Sequence, residues 1–118
     1  MPKRSKNSDH ECLITGTNYN LHKHHIFGAF NRNKSGEYGF VVYLSAYFHD
    51  MSDEAVHFDK EFDLVLKRWA QGRFEQSHTR EEFIKEFGRS YILNDSLDYE
   101  EELKKFIDHK RAKLGIYI

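Results

Sequence analysis

Histidines concentrate in one part of this chain of 118 residues. His22, His24 and His25 lie within four positions, and His49 and His57 follow, so that five of the eight histidines fall between residues 22 and 57. Neutral imidazole is the commonest protein ligand for transition metals, and it is also the side chain best suited to proton transfer near pH 7. The pattern therefore predicts a metal site with a proton acceptor beside it.

This combination suits the hydrolysis of a phosphodiester. The reaction requires deprotonation of a water, neutralisation of phosphate charge and stabilisation of the leaving oxygen. A divalent metal can supply the last two and a positioned histidine the first. In the adjacent pair His24 and His25, one imidazole would bind metal and the other would act as base, while a histidine on a later helix would complete the metal site.

Two strands must position the histidine pair. The segment 21–27 and the apolar, β-branched segment 39–46 each predict a strand. Between them, residues 28–38 predict a long loop, rich in Gly and Asn. Alternation along the first strand places His22 and His24 on one face and His25 on the other. We expect His22 to be an exposed residue.

Helices follow the strands. A first helix is predicted from Tyr47, and Ser52 with the acidic residues after it predicts a second helix start. Apolar residues at helical spacing predict a long helix over 59–76 and a last one over 96–114. Thr79-Arg80-Glu81-Glu82 forms a capping box that begins a short helix, which Gly88 ends.

Helix geometry restricts the metal ligands. His49 and His57 are eight positions apart in the sequence, which is about 12 Å along a continuous α-helix. Two such histidines cannot bind one ion. Either the helix breaks near residues 51–53, or one of the two histidines is not a ligand.

The order of these segments resembles the HNH, or ββα-metal, nucleases, in particular HNH-type proteins encoded in phages and prophages of Gram-positive bacteria. The resemblance covers roughly residues 12–93. It is carried by Leu21–Gly28, Asn31–Ser35, Tyr38–Leu44, His49, Val56-His57 and the helical stretches between residues 66 and 91.

The resemblance implies an α+β fold. The chain would form a single domain with a flexible arm at 1–10, a ββα-metal core at 11–58 and a helical extension at 59–118. It also assigns roles to side chains. The implied metal ligands are His24, His49 and His57, and the implied catalytic residues are His25 as general base, Asn31 (or Asn33 in its place) as the loop asparagine, and Arg32 as a phosphate contact.

One feature of many HNH proteins is missing. Two Cys-x-x-Cys pairs often hold a structural zinc ion, but here the first pair reads Cys12 and Thr15, and the second reads Ser45 and Phe48. Three of the four positions cannot act as thiolate ligands. We therefore expect no structural zinc, and aromatic packing by Tyr47 and Phe48 in its place.

Composition limits the partners. The net charge of −1 argues against a purely electrostatic nucleic-acid binder, and no apolar run is long enough for a membrane span. Because the chain has a single cysteine, a reducing cytoplasm fits it best, here that of a bacterial host. Trp69 and the phenylalanines are assigned to the core, and Lys67, Arg68 and Arg73 to a solvated helix face that could also contact phosphates.

Three classes of function remain after these observations, the third being a structural protein that binds zinc through its histidines. The first is a DNA endonuclease that uses Mg²⁺ or Mn²⁺, with Zn²⁺ or Ni²⁺ as alternatives. The second is a non-catalytic phage-encoded binding protein, such as an inhibitor or recombination accessory, on a degenerate HNH scaffold. In each class, the acidic C-terminal half could form a homodimer or bind a protein partner.

Overall fold

Two antiparallel strands carry the histidine-rich segment. The structure is a computed structural model that describes residues 10–115. Strand β1 spans Leu21–His25 and strand β2 spans Val41–Ser45. In their register His24 lies opposite Val42. With the helices that follow, the sheet gives the α+β class that the sequence predicts.

The connection between the strands is helical, so the prediction of a loop there was wrong. A 3-10 turn at Ala29–Asn31 leads into helix α1 at Arg32–Glu37. Ser35 on α1 is fully buried, and its hydroxyl accepts a hydrogen bond from the Phe27 N–H and donates one to the Phe40 carbonyl. These tertiary hydrogen bonds stabilise the short helix despite the low helix propensity of its Gly and Asn residues.

A short helix follows β2 and then an irregular segment. Helix α2 spans Ala46–His49, but the predicted second start at Ser52 was wrong, because residues 50–59 form turns. The Ser52 hydroxyl donates to the Tyr47 carbonyl and accepts from the Glu54 N–H. Serine hydroxyls support turns in this way as readily as they cap helices.

Three longer helices complete the chain. Helix α3 spans Lys60–Phe74, α4 spans Arg80–Phe87 and α5 spans Tyr99–Lys113, each close to its predicted range. The side chains of Asp59 and Asp98 accept hydrogen bonds from the first free N–H groups of α3 and α5. Such caps satisfy backbone donors that have no partner inside the helix.

Both ends of α4 confirm the predicted signals. The hydroxyl of Thr79 accepts from the Glu82 N–H, and the Glu82 carboxylate accepts from the Thr79 N–H, which completes the capping box. Gly88 ends the helix with a φ of +96°. This left-handed conformation favours glycine, because a Cβ atom there would be strained.

Aromatic rings fill the core next to β1. The ring of Phe27 lies 4.5 Å from that of Phe87, 5.7 Å from that of Phe83 and 6.0 Å from that of Phe40, measured between centroids. Because Phe27 comes just after β1 while its partners belong to other elements, these contacts join the strand to α4. The buried cluster as a whole includes residues from Cys12 to Leu103.

Two phenylalanines contradict the assignment of all phenylalanines to the core. Phe30 is 99% exposed and Phe58 is 67% exposed. Trp69 is partly buried against the core, as predicted. Phe30 lies in the 3-10 turn before α1, and Phe58 lies in the turns before α3. Neither segment is long enough for apolar spacing to indicate burial.

A buried lysine joins α5 to the segment 50–59. Lys110 is only 2% exposed. Its ammonium group donates to the carboxylates of Glu54 and Asp59, at 2.8 and 2.6 Å, and to the carbonyl of Glu54 at 2.9 Å. A buried charge is tolerated only with such partners, so the last helix fixes the turns that precede α3.

Most of the predicted flexible arm, residues 1–9, lies outside the described residues, while His10 is exposed and stacks on Tyr43 with 3.9 Å between ring centroids. Within residues 10–115, the helices lack the length and apolar character required to cross a bilayer.

Candidate metal centre

Three histidines from different elements meet at one point. Ring nitrogens of His24 on β1, His49 at the end of α2 and His57 in the following turns all lie within 4.8 Å of one another. The Nε2 atoms of His49 and His57 are 3.1 Å apart. The His24 ring centroid is 5.4 Å from each of the other two. These are the three histidines that the resemblance implies as metal ligands, and together they could hold a metal ion.

The backbone explains how residues eight positions apart meet. Helix α2 ends at His49, and the chain then turns back on itself. The Val56 N–H donates to the Phe48 carbonyl at 2.8 Å, and the His57 N–H donates to the His49 carbonyl at 3.3 Å. Of the two alternatives that helix geometry left open, the structure therefore has the broken helix.

His24 is the buried member of the group. It is 7% exposed, and its Nε2 atom is buried without a hydrogen-bond partner. Burial, with the nearby His49 and His57, lowers the pKa of His24 to about 3. The ring is therefore neutral at pH 7 and keeps a free lone pair. An unsatisfied buried nitrogen costs about 1–3 kcal/mol, a cost that a bond to a metal would offset.

His22 does not behave as predicted. It is half-buried rather than exposed, and its Nδ1 atom lies 2.8 Å from the Nδ1 atom of His49. The Asp50 carboxylate is 3.7 Å from the same His49 nitrogen, too far for a good hydrogen bond. The strand alternation could have revealed His22, since it shares a face with His24.

His25 lies on the other face of β1, as the alternation predicts. A Cβ atom added to Gly36 would be 3.6 Å from its Nε2 atom, so the ring lies against helix α1. Its Nδ1 atom is buried and has no hydrogen-bond partner. Desolvation lowers the pKa of His25, and the positive charges of Arg32 and Lys23 lower it further. A neutral imidazole with a free nitrogen can accept a proton.

A cleft of about 520 Å³ is lined both by the three histidines of the candidate metal centre and by His25. Its lining includes His24, His25, His49 and His57 together with three cationic side chains, those of Lys23, Arg32 and Lys67. The ammonium of Lys67 is 2.9 Å from the carboxylate of Asp63, which also lines the cleft. The sequence left two places open for Lys67, a solvated face or a phosphate contact, because helical spacing alone does not show what a helix faces. The structure places Lys67 in the lining of the cleft.

The two other predicted catalytic residues lie in different surroundings. Arg32 is exposed and lines the cleft. The side-chain amide of Asn31 donates to the Phe87 carbonyl at 3.1 Å, and Asn31 is not among the residues that line the cleft. Asn33 is exposed on α1. The catalytic roles of Asn31 and Arg32 stay predictions.

The positions compared above with the zinc-binding Cys-x-x-Cys pairs of HNH proteins differ in their burial. Cys12 is a buried free thiol. Phe48 is 1% exposed and belongs to the core, as expected. Tyr47 is 43% exposed, although its ring contacts that of Phe48 with 5.0 Å between centroids. Aromatic packing at this place therefore rests on Phe48.

Comparison with known proteins gives no relative for this chain: no family model matches it, and neither the curated proteins nor the solved structures include a significant match.

Proposed function

We propose that this protein is a metal-dependent DNA endonuclease with an HNH-like, ββα-metal core. The observation that supports this function best is the arrangement around β1. Three imidazoles whose nitrogens lie within 4.8 Å of one another belong to residues that line a cleft, and His25, the residue after His24, lines the same cleft.

The side chains divide the chemistry. His24, His49 and His57 would hold a divalent ion, which supplies positive charge for the phosphate and the leaving oxygen. His25 would accept the proton of the attacking water, because its lowered pKa leaves the ring neutral. Arg32 and Lys23 line the same cleft and contact the phosphate.

The donor set also indicates which ion binds. Three imidazoles without a carboxylate suit Zn²⁺ or Ni²⁺ better than Mg²⁺, which prefers oxygen ligands. The resemblance to HNH proteins favours Mg²⁺ or Mn²⁺ for activity. The two preferences are compatible if Zn²⁺ binds tightly and another ion supports faster turnover, so all four ions belong in the assay.

The test is plasmid nicking by purified protein with each ion, with EDTA as control. We expect the wild-type protein to nick, and His25→Ala to lose about 10²–10⁴-fold in rate while it binds metal as before. His109→Ala is the matched control, because His109 is exposed on α5. Undiminished cleavage by His25→Ala would refute the assignment of the base.

The same assay decides between the first two classes of function. If no ion supports nicking by a protein that binds metal, the chain is the non-catalytic binding protein on a degenerate scaffold. Metal binding is measured separately, by calorimetry, so that an inactive but metal-loaded protein is recognised.

A further inference from the structure

Two exposed phenylalanines are close in sequence to residues that line the cleft. Phe30 lies between Ala29 and Arg32, and both of these line the cleft. Phe58 directly follows the proposed ligand His57. They are 99% and 67% exposed. Single exposed apolar residues are common on protein surfaces. Phe30 and Phe58 differ from such residues because the backbone contacts around them fix their exposed positions.

The backbone holds Phe30 away from the core. Ala29 has a φ of +52°, a left-handed conformation that costs a non-glycine residue about 1–3 kcal/mol. The Asn31 amide binds the Phe87 carbonyl at 3.1 Å and fixes the turn to α4. Phe27, three residues earlier, is 1% exposed in the aromatic core. The turn thus buries one ring and presents the other to solvent at an energetic cost.

Phe58 is held from both sides. Its own N–H donates to the Ala55 carbonyl at 2.9 Å. The preceding residue, His57, is bound through its backbone to His49, and the following residue, Asp59, binds Lys110 at 2.6 Å and caps α3. Its exposure therefore belongs to an ordered turn.

The charges of the cleft fit a short length of nucleic-acid backbone. Three cationic side chains line it, and one of them, Lys67, is paired with Asp63. The chain as a whole carries a net charge of −1. A duplex-binding protein gains most of its affinity from many phosphate contacts, which this surface does not offer. Stacking of a base on an aromatic ring contributes about 1–3 kcal/mol without additional charge.

We propose that Phe30 and Phe58 stack unpaired bases, and that the cleft therefore takes a single DNA strand, or an unpaired region of a duplex, in preference to regular B-form DNA. This inference rests on the proposed function for the identity of the ligand. It names the class of substrate that the same site accepts.

The test measures binding of a labelled oligothymidine of roughly twelve nucleotides, within the usual site size for such proteins, by fluorescence anisotropy. The protein carries His25→Ala so that the strand is not cut. Phe30→Leu and Phe58→Leu remove the rings but keep apolar side chains, and we expect each to weaken binding about 5–150-fold. Phe30→Trp restores stacking. Leu93→Ala is the control, because Leu93 is 86% exposed and lies outside the cleft.

Wild-type affinity in both leucine variants would overturn the inference, as would absence of strand binding, or a duplex of the same sequence that binds as tightly as the single strand. Melting temperatures of the variants should match the parent, since both rings are exposed. The two proposals fail separately. Ring-dependent binding by a protein that cuts nothing overturns only the proposed function, whereas cleavage with ring-independent binding overturns only this inference.

Discussion

At the scale of single residues, His22 is the side chain whose role the structure changes most. A ring nitrogen that binds a metal leaves the other nitrogen protonated, and a partner that accepts this proton fixes the ring's orientation. If His49 binds through Nε2, next to His57, its Nδ1–H donates to the Nδ1 of His22 at 2.8 Å. In that arrangement, His22 would be a positioning residue for His49.

We expect His22→Ala to weaken Zn²⁺ or Ni²⁺ binding about 10–100-fold, the usual effect of removing such a partner. Competition with a metal chelator measures this directly. His22→Gln, which keeps an acceptor, should restore part of the affinity, and His109→Ala should change nothing. An unchanged affinity in His22→Ala would contradict the role, and a loss as large as that of His24→Ala would make His22 a direct ligand.

At the scale of elements, the segment 50–59 decides whether the site exists. It brings His57 back to His49 by backbone hydrogen bonds, and it ends at Asp59, the cap of α3. Lys110 on α5 binds both Glu54 and Asp59. The last helix therefore supports the turn that carries His57, a proposed metal ligand far from it in sequence.

Replacing this lysine should affect both stability and metal binding. Lys110→Met leaves two carboxylates without their buried partner, and we expect the free energy of unfolding to fall by roughly 3 kcal/mol, as measured by urea denaturation. Metal affinity should fall too, because His57 loses its support. Thr79→Ala is the control, since loss of this cap costs about 1 kcal/mol far from the segment 50–59. Equal metal affinity in the two variants would argue against the coupling.

At the scale of the whole molecule, the buried histidine links folding to pH. The pKa of His24 is lowered from 6.5 to about 3. Above pH 6.5 the ring is neutral in both folded and unfolded chains. Between these values only the unfolded chain binds the proton, so stability falls as pH falls. Lowered pKa values of Glu54 and Asp59 act in the same direction at lower pH.

We therefore expect the metal-free protein to lose stability from about pH 7.5 to about pH 5, by about 2 kcal/mol from His24 alone at 1.36 kcal/mol per pH unit. Urea denaturation in EDTA at the two values measures the change. His24→Gln removes the contribution of His24 and should reduce the dependence, while His25 and His49, whose pKa values are also lowered, keep part of it. A stability that is constant or rises on acidification would contradict the burial of a neutral His24.

The sequence by itself determined the two strands and the helical tail. Its apolar spacing, the Thr79 capping box and Gly88 predicted these elements, because such signals are local and act within a few residues. It also showed the cluster of histidines, to which the resemblance to HNH proteins added the proposed roles of His24, His25, His49 and His57.

Only the tertiary structure decided the rest. Four features depend on partners from distant parts of the chain. They are the turn at Ala29 with helix α1, the contact of His22 with His49, the place of Lys67 in the cleft and the burial of Lys110. Hydrogen bonds and ion pairs between such residues leave no period in the sequence. The candidate metal centre is therefore visible in the sequence as a cluster of histidines. Its geometry is set by the turns at 50–59 and by helix α5, which lie further along the chain.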